Sequence, residues 1–402
     1  MLRAVFYEGW RIGILGLLAL LMLAPVTLPV TVLRELVQDR FDVSEMLTSL
    51  FMSINMVGAV VAAPLVSVLS DRIGRRRELV IGALLADAVC LFALAQTTSF
   101  AVFMGIRFLE GCAHITALSM LLGIATRSRG PEQRGRVMGL VGGGITLGVA
   151  LGAPVGGVVG ANDPIAPLLL GSALVTLAAV VSMLVLRDPT SAADEKSPQF
   201  ADLVRMVNEN RLLIAPLAFA FADRFTVGFF TTTFSLYLTR IHDLDPPRIG
   251  MLISAFMIPF ALLSYPFGRL AESHSRVAMV CGGSLLYGIG TATLGWWSLD
   301  WLIGLMFVLG VTSAVMFVPS LVLTTDIAPD EIRTTAMGAF NAAGSLGFIV
   351  GPATGGFVSQ AVARVADWES GYRAAFVVAG VSEIACVVLA LPFLMRIARG
   401  GR

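Results

Sequence analysis

Twelve apolar stretches follow one another along this chain, over residues 10–33, 44–70, 78–97, 100–126, 136–160, 164–186, 211–239, 248–270, 276–298, 300–325, 335–361 and 371–395. A helix needs ~20 apolar residues to cross the hydrocarbon of a bilayer. Lipid offers the backbone no hydrogen-bond partner, so a spanning segment must satisfy its own N–H and C=O groups. The stretches therefore predict twelve spanning helices. Segments 137–162, 301–325 and 334–363 hold no charged residue at all. Of the 402 residues, 56% are hydrophobic and 14% charged, with a mean hydropathy of +0.84. Soluble domains carry about 25% charge, and a water-soluble globule of this size has no way to hide so much apolar surface. That argues against soluble enzymes, DNA-binding proteins and disordered scaffolds. A net charge of +1 gives no attractive field for nucleic acid.

The four cysteines, Cys90, Cys112, Cys281 and Cys386, fall inside apolar runs without CxxC spacing. They read as small apolar residues rather than disulfide partners or metal ligands. Lys196 is the sole lysine and no G-x-x-x-x-G-K-[ST] sequence occurs, so neither an ATP-binding loop nor a cofactor is expected. The first apolar run continues from Ile12 to Leu33, longer than the core of a signal peptide, and is expected to remain as a span. Most connections are short. The exception, RDPTSAADEKSPQFADLVRMVNEN over 187–210, is polar. Within it Phe200, Leu203, Val204 and Val207 repeat at helical spacing behind Ser197-Pro198, which predicts a short amphipathic helix on the membrane surface. Basic residues set orientation. With both termini in the cytoplasm, twenty of the 28 Lys and Arg residues face inward and six outward, while Arg107 and Arg224 lie within spans.

The chain also repeats itself. RGRVMGLVGGGITLGVALGAPVGG, from Arg134, matches RTTAMGAFNAAGSLGFIVGPATGG, from Arg333. Arg134, Gly139, Gly148, Gly152, Gly156 and Gly157 each recur 199 residues later, at Arg333, Gly338, Gly347, Gly351, Gly355 and Gly356. A weaker echo relates SVLSDRIGR, from Ser67, to GRLAESHSR, from Gly268. The expected fold is thus an all-α membrane protein of twelve transmembrane helices in two pseudo-symmetric six-helix halves. Residues 1–186 and 211–402 form the halves, and 187–210 the cytoplasmic linker. Duplicated halves of this kind are a transporter architecture, with the binding site between them near the midplane.

Three motifs carry a resemblance. The loop between spans 2 and 3, S-V-L-S-D-R-I-G-R-R-R from Ser67, holds Asp71, Arg72, Gly74, Arg75 and Arg76. Gly74 permits a tight turn, Asp71 suits a neighbouring helix N-terminus, and the arginines suit an anionic inner leaflet. Span 4 holds R-F-L-E-G-C-A, from Arg107. Span 5 holds Gly139, Gly148, Gly152, Pro154, Gly156 and Gly157, and span 11 its copy with Pro352. Glycine stripes allow close helix packing, and proline bends a helix. Together these residues resemble the major facilitator superfamily over essentially the whole chain, and within it the 12-span drug/proton antiporter group. Ser67 stands where that family usually has glycine, Glu110 where it usually has glutamine, and Pro154 one residue late. The resemblance implies that the 67–77 loop latches the outward-facing state, that the span-5 motif marks antiport, and that spans 1, 4, 7 and 10 line the cavity. It also implies a bacterial inner (plasma) membrane location, protons as coupling ion and a monomer.

Ionisable residues inside lipid cost at least ~2.5–3.5 kcal/mol each and so have partners or a function. Arg107, Glu110 and His114 share one face of span 4. Glu110 lies ~15 Å from the start of its helix, and Asp223, beside Arg224 in span 7, ~18 Å from its own. One acid per half at similar depth suits a shared central site. The expected mechanism protonates Glu110 and Asp223, with His114 as relay and Arg107 and Arg224 as charge partners; static ion pairs are the plainer alternative. Asp87 and Glu383 are expected to pair structurally. Asn55, Phe229, Phe230, Tyr237 and Asn341 are candidate cavity residues. The leading functional expectation is proton-coupled efflux of a hydrophobic or amphipathic small molecule. Alternatives are a facilitator, an importer or a lysolipid transporter on the same fold. An intramembrane enzyme lacks support, because H-E-x-x-H is absent and only His114, His242 and His274 occur.

Overall fold

The computed structural model describes residues 2–73, 76–127, 131–186, 200–329 and 332–398. Among them there is no strand, and twelve helices are long and apolar enough to cross a membrane. Spans 1–6 are Gly13–Val32, Glu45–Val66, Arg76–Gln96, Phe100–Ala125, Val137–Gly160 and Ala166–Val185. Spans 7–12 are Arg211–His242, Pro246–Ser273, Arg276–Trp296, Leu299–Ile327, Thr335–Ala363 and Trp368–Ile397. Each falls on an expected apolar stretch. Span 7 runs on past residue 239 to include Arg240 and His242, and span 12 begins before residue 371 to include Glu369. Charged residues at a helix end keep their heads near water, so the apolar count alone underestimates helix length. At the start of span 12, Asp367 Oδ1 accepts from the Ser370 backbone N–H at 2.8 Å, and this bond holds the Asp367 carboxyl below its ordinary range. Leu184, Leu389, Tyr265 and Leu262 point outward, as side chains that face lipid must.

The polar linker forms a helix at Phe200–Glu209. Its Met206 is buried with Leu213, Ala328, Ala336 and Ala339. Ser197 and Pro198, the expected cap, lie outside the described residues. So do Gly74 and Arg75 and the side chains of Asp71, Arg72 and Arg134. Arg76 opens span 3 with its guanidinium against Gly123 of span 4.

The chain forms two units. The first comprises Met1–Asp42, Ile54–Lys196 and Asp245–Gly250, and the second Val43–Ser53, Ser197–Leu244 and Met251–Arg402. The first turns of spans 2 and 8 thus belong to the opposite unit from the rest of their helices.

Within each unit the repeated glycines do the same work. In the first, a Cβ on Gly148, Gly152 or Gly156 would collide with the backbone of Leu20, Ala24 or Leu28 of the first helix. In the second, a Cβ on Gly347 or Gly351 would collide with Phe221 or Phe225, and one on Gly355 with Thr233. Spans 5 and 11 therefore lie on spans 1 and 7 one contact per turn, the spacing of residues four apart on one helical face. Gly157 abuts Pro246 in the first unit, and Gly356 abuts Ser49 in the second. The displaced proline has a structural counterpart. Pro352 packs against Gly228 of span 7, whereas Pro154 packs against Gly250 of span 8.

Spans 2 and 4 touch backbone to backbone, since a Cβ on Gly58 would strike Phe108 and one on Gly111 would strike Asn55. Nothing lies within 4 Å of the Cβ position at Gly105. Gly111→Ala is expected to destabilise by ~1–3 kcal/mol through overpacking, whereas Gly105→Ala should be neutral or gain up to ~1 kcal/mol from helix propensity. Thermal melting of the two purified variants in detergent checks the contrast.

Candidate functional site

Spans 4 and 7 each set a buried carboxylate against an arginine, and a second buried carboxylate lies nearby on another span. In the first unit, Arg107 is 1% and Glu110 3% exposed. Arg107 Nη1 donates to Glu110 Oε2 at 2.9 Å. Asn55 Nδ2 of span 2 donates to the same oxygen. Asn55, a candidate cavity residue, thus bonds across helices into the charged cluster. The close Gly111 contact explains why, because it brings Asn55 of span 2 against the Glu110 turn of span 4. One turn further along span 4, His114 Nδ1 lies 3.3 Å from Oδ2 of Asp87 in span 3. Asp87 is 1% exposed, and its Oδ1 has no hydrogen-bond partner. The ligand-type atoms of Asp87, Glu110 and His114 lie within 4.8 Å of one another, the one such grouping among the described residues. Arg107 already brings a positive charge to this group, which disfavours a divalent cation.

In the second unit, Arg224 Nε lies 3.4 Å from Asp223 Oδ2. The guanidinium also sits 4.9 Å from the Phe317 ring centroid and 5.4 Å from that of Phe348, a cation–π arrangement that offsets partial desolvation. Gly344 and Gly347 make room for its stem. Asp223 Oδ1 is buried without a hydrogen-bond partner. Glu383 of span 12 is fully buried and accepts from Thr226 Oγ1 at 3.3 Å, one turn beyond Asp223.

The aromatic candidates all lie on span 7. Phe229, Phe230 and Tyr237 are each 2% exposed or less. Phe230 stacks on Phe256 at 5.0 Å and meets Tyr287 at 6.3 Å, and Phe229 meets Phe225 at 5.2 Å. Tyr237 packs on Tyr372 and Phe376, and its hydroxyl is 2.9 Å from His242 Nε2. These side chains pack in the interior of the second unit. Span 7 contains a π-helical turn, Phe230–Phe234, between the helical segments Ile214–Phe229 and Ser235–His242. Asn341 is exposed. A cleft of about 1330 Å³ opens at one end of the second unit, lined by Arg211, His274, Arg276, Asp326 and Arg396 among others. No candidate residue from the sequence lines it.

Sequence reasoning missed one further charged group, also in the second unit. Glu45, at the start of span 2, is 2% exposed. Arg240 Nη2 lies 3.1 Å from its Oε2, and the Tyr372 hydroxyl donates to its Oε1. The Arg240 guanidinium covers the Trp368 ring at 4.0 Å. The Met46 N–H donates to Gln360 Oε1 at 3.1 Å. Glu45 and Arg240 read in sequence as helix-end charges; only the long-range fold brings them together.

A family model described as Major Facilitator Superfamily matches residues 14–230 and again 217–401, once for each half of the duplication. The chain belongs to the major facilitator superfamily. It is a transporter and not an enzyme. Magnetosome protein MamH of Paramagnetospirillum magneticum is 29% identical over 356 residues, which span 83% of this chain and 80% of that protein. Multidrug resistance protein 2 of Bacillus subtilis is 28% identical over 158 residues, 39% of each. The crystal structure of a bacterial homolog of the human lysosomal transporter Spinster, inward-facing and occupied, superposes with a TM-score of 0.82. That match has 15% identity and covers 98% of this chain and 97% of the other, so it bears on the fold alone.

Breaking a buried pair costs more than deleting both partners. Arg107→Met is expected to destabilise by ~3–5 kcal/mol because it strands the Glu110 carboxylate. Adding Glu110→Gln to it should recover most of that loss. A double-mutant cycle on melting temperatures in detergent reads the coupling.

Proposed function

We propose that this major facilitator transporter exports hydrophobic or amphipathic small molecules in exchange for protons, by alternating access. The observation that carries the reading is the buried charge cluster on each of spans 4 and 7, where Glu110 and Asp223 sit in lipid-spanning helices with only one guanidinium apiece. Fixed structural pairs would need no surplus acid, yet beside each of these pairs lies a second buried carboxylate, Asp87 or Glu383. A cluster that gains a proton sheds its surplus negative charge, and one that loses the proton regains it. That gives each unit two electrostatic states for one incoming proton. Protons enter from outside, the cluster closes around them, and they leave to the cytoplasm as substrate leaves the other way. The similarity to a multidrug resistance protein supports the substrate class. The basic-residue count supports cytoplasmic termini and an inner (plasma) membrane location. The protein works as a monomer.

Reconstitution into liposomes with an imposed pH gradient and a panel of lipophilic cations tests this. Gradient-driven transport is expected in the native protein. Glu110→Gln and Asp223→Asn should each abolish the response to the gradient while the protein still inserts and melts cooperatively. Equal transport with and without the gradient, together with unchanged rates in both variants, overturns the proton coupling. Uptake of a single sugar or amino acid without any lipophilic cation favours an importer instead.

A further inference from the structure

We infer that Asp87, His114 and Glu110 form a proton store in which the proton sits on the His114 imidazole, between the two carboxylates. This rests on the proton-coupled reading and deepens it, by moving the exchangeable proton from Glu110 to a histidine shared with span 3.

The geometry divides the labour. Glu110 Oε2 already accepts from both Arg107 and Asn55, so the donors around it are taken up by hydrogen bonds to that oxygen. Asp87 is as deeply buried but meets His114, with Nδ1 3.3 Å from its Oδ2, and keeps Oδ1 unpartnered. Two carboxylates and one guanidinium leave the cluster with one negative charge, and one proton on the imidazole cancels it. A charge left over in lipid is expensive, so closing the site around the cluster favours proton uptake, and opening it to water lets the proton go. The N–H bond forms at the ring with a proton from water on one side and breaks to water on the other. No redox partner or co-reactant is involved.

The surroundings supply little competing charge. Spans 1, 5 and 6 carry no Asp, Glu, Lys, Arg or His between 13–32, 137–160 and 166–185. Span 2 contributes Asn55 to the cluster, and its one acid, Glu45, lies ten residues earlier in the other unit. Cys90 of span 3 and Cys112 of span 4 are the remaining titratable neighbours, and both thiols are neutral near pH 7. His114 keeps 12% of its side chain exposed, which leaves the ring reachable for a proton.

The chain has three histidines, His114, His242 and His274. The full-length His242→Gln/His274→Gln protein in lipid nanodiscs therefore reports His114 alone by nitrogen-15 NMR. An imidazolium is expected at pH 7. Removing either carboxylate, by Asp87→Asn or Glu110→Gln, should leave a neutral ring at the same pH, and Asp87→Glu should retain the imidazolium. Either removal suffices if the other variant fails to fold. A neutral ring in the parent, or an imidazolium that survives Asp87→Asn or Glu110→Gln, overturns the inference. Zinc chloride at micromolar concentration should leave the ring signals in place; a zinc-dependent shift lost in Asp87→Asn makes the triad a cation site and overturns it too. The readout uses neither substrate nor gradient, so a failure of proton-driven export in liposomes and a failure of the triad are separate results.

Discussion

Hydrocarbon does not solvate charge, and the interior of this protein is arranged around that constraint. Arg107 and Glu110 lie together at 2.9 Å on one helix, where neither has access to water. A lone ion there would cost several kcal/mol, and a pair costs less only if its geometry is good and its remaining lone pairs are bonded. Asn55 supplies that further bond from a second helix. On span 7 the solution differs. Asp223 takes Arg224 beside it, and two aromatic rings cover the guanidinium. An arginine set against an intramembrane acid is thus accommodated by different surroundings on spans 4 and 7.

Close packing makes the charge clusters possible. Between lipid-facing helices there is no hydrophobic drive to associate, so contact depends on small residues that let backbones meet. Glycines at positions 148, 152 and 156 bring span 5 onto span 1, and their copies at 347, 351 and 355 bring span 11 onto span 7. Gly58 and Gly111 do the same between spans 2 and 4, and that approach is what delivers the Asn55 amide to Glu110. A methyl group at Gly111 would therefore disturb a charge cluster without touching a charged side chain.

The spans were legible because hydropathy is local: a run of about twenty apolar residues declares itself without knowledge of its neighbours. The duplication was legible for the same reason, since glycine spacing survives in the linear sequence. The buried acids on spans 4 and 7 stood out against apolar backgrounds. What the sequence did not disclose depends on which helices abut. Asp87 looked peripheral because span 3 is not a cavity helix in the family, yet it faces His114 across the span 3–span 4 contact. Glu45 and Arg240 are 195 positions apart and meet only in the folded unit. Phe229, Phe230 and Tyr237 are buried within the second unit by rings from other helices, which a linear reading of span 7 does not show. Pro154 looked like a defect in a motif, and its contact with Gly250 gives it a different neighbour from that of Pro352.

The π-turn at Phe230–Phe234 holds one residue more than an α-helix would need over the same length. Were that surplus to be ironed out, everything beyond it would swivel by about 100° about the helix axis. Arg240 lies on the far side of the turn, so Glu45, Tyr372 and Trp368 would lose their common companion in a single click of register. A stretch of five residues thus sets the register at which Arg240 meets Glu45.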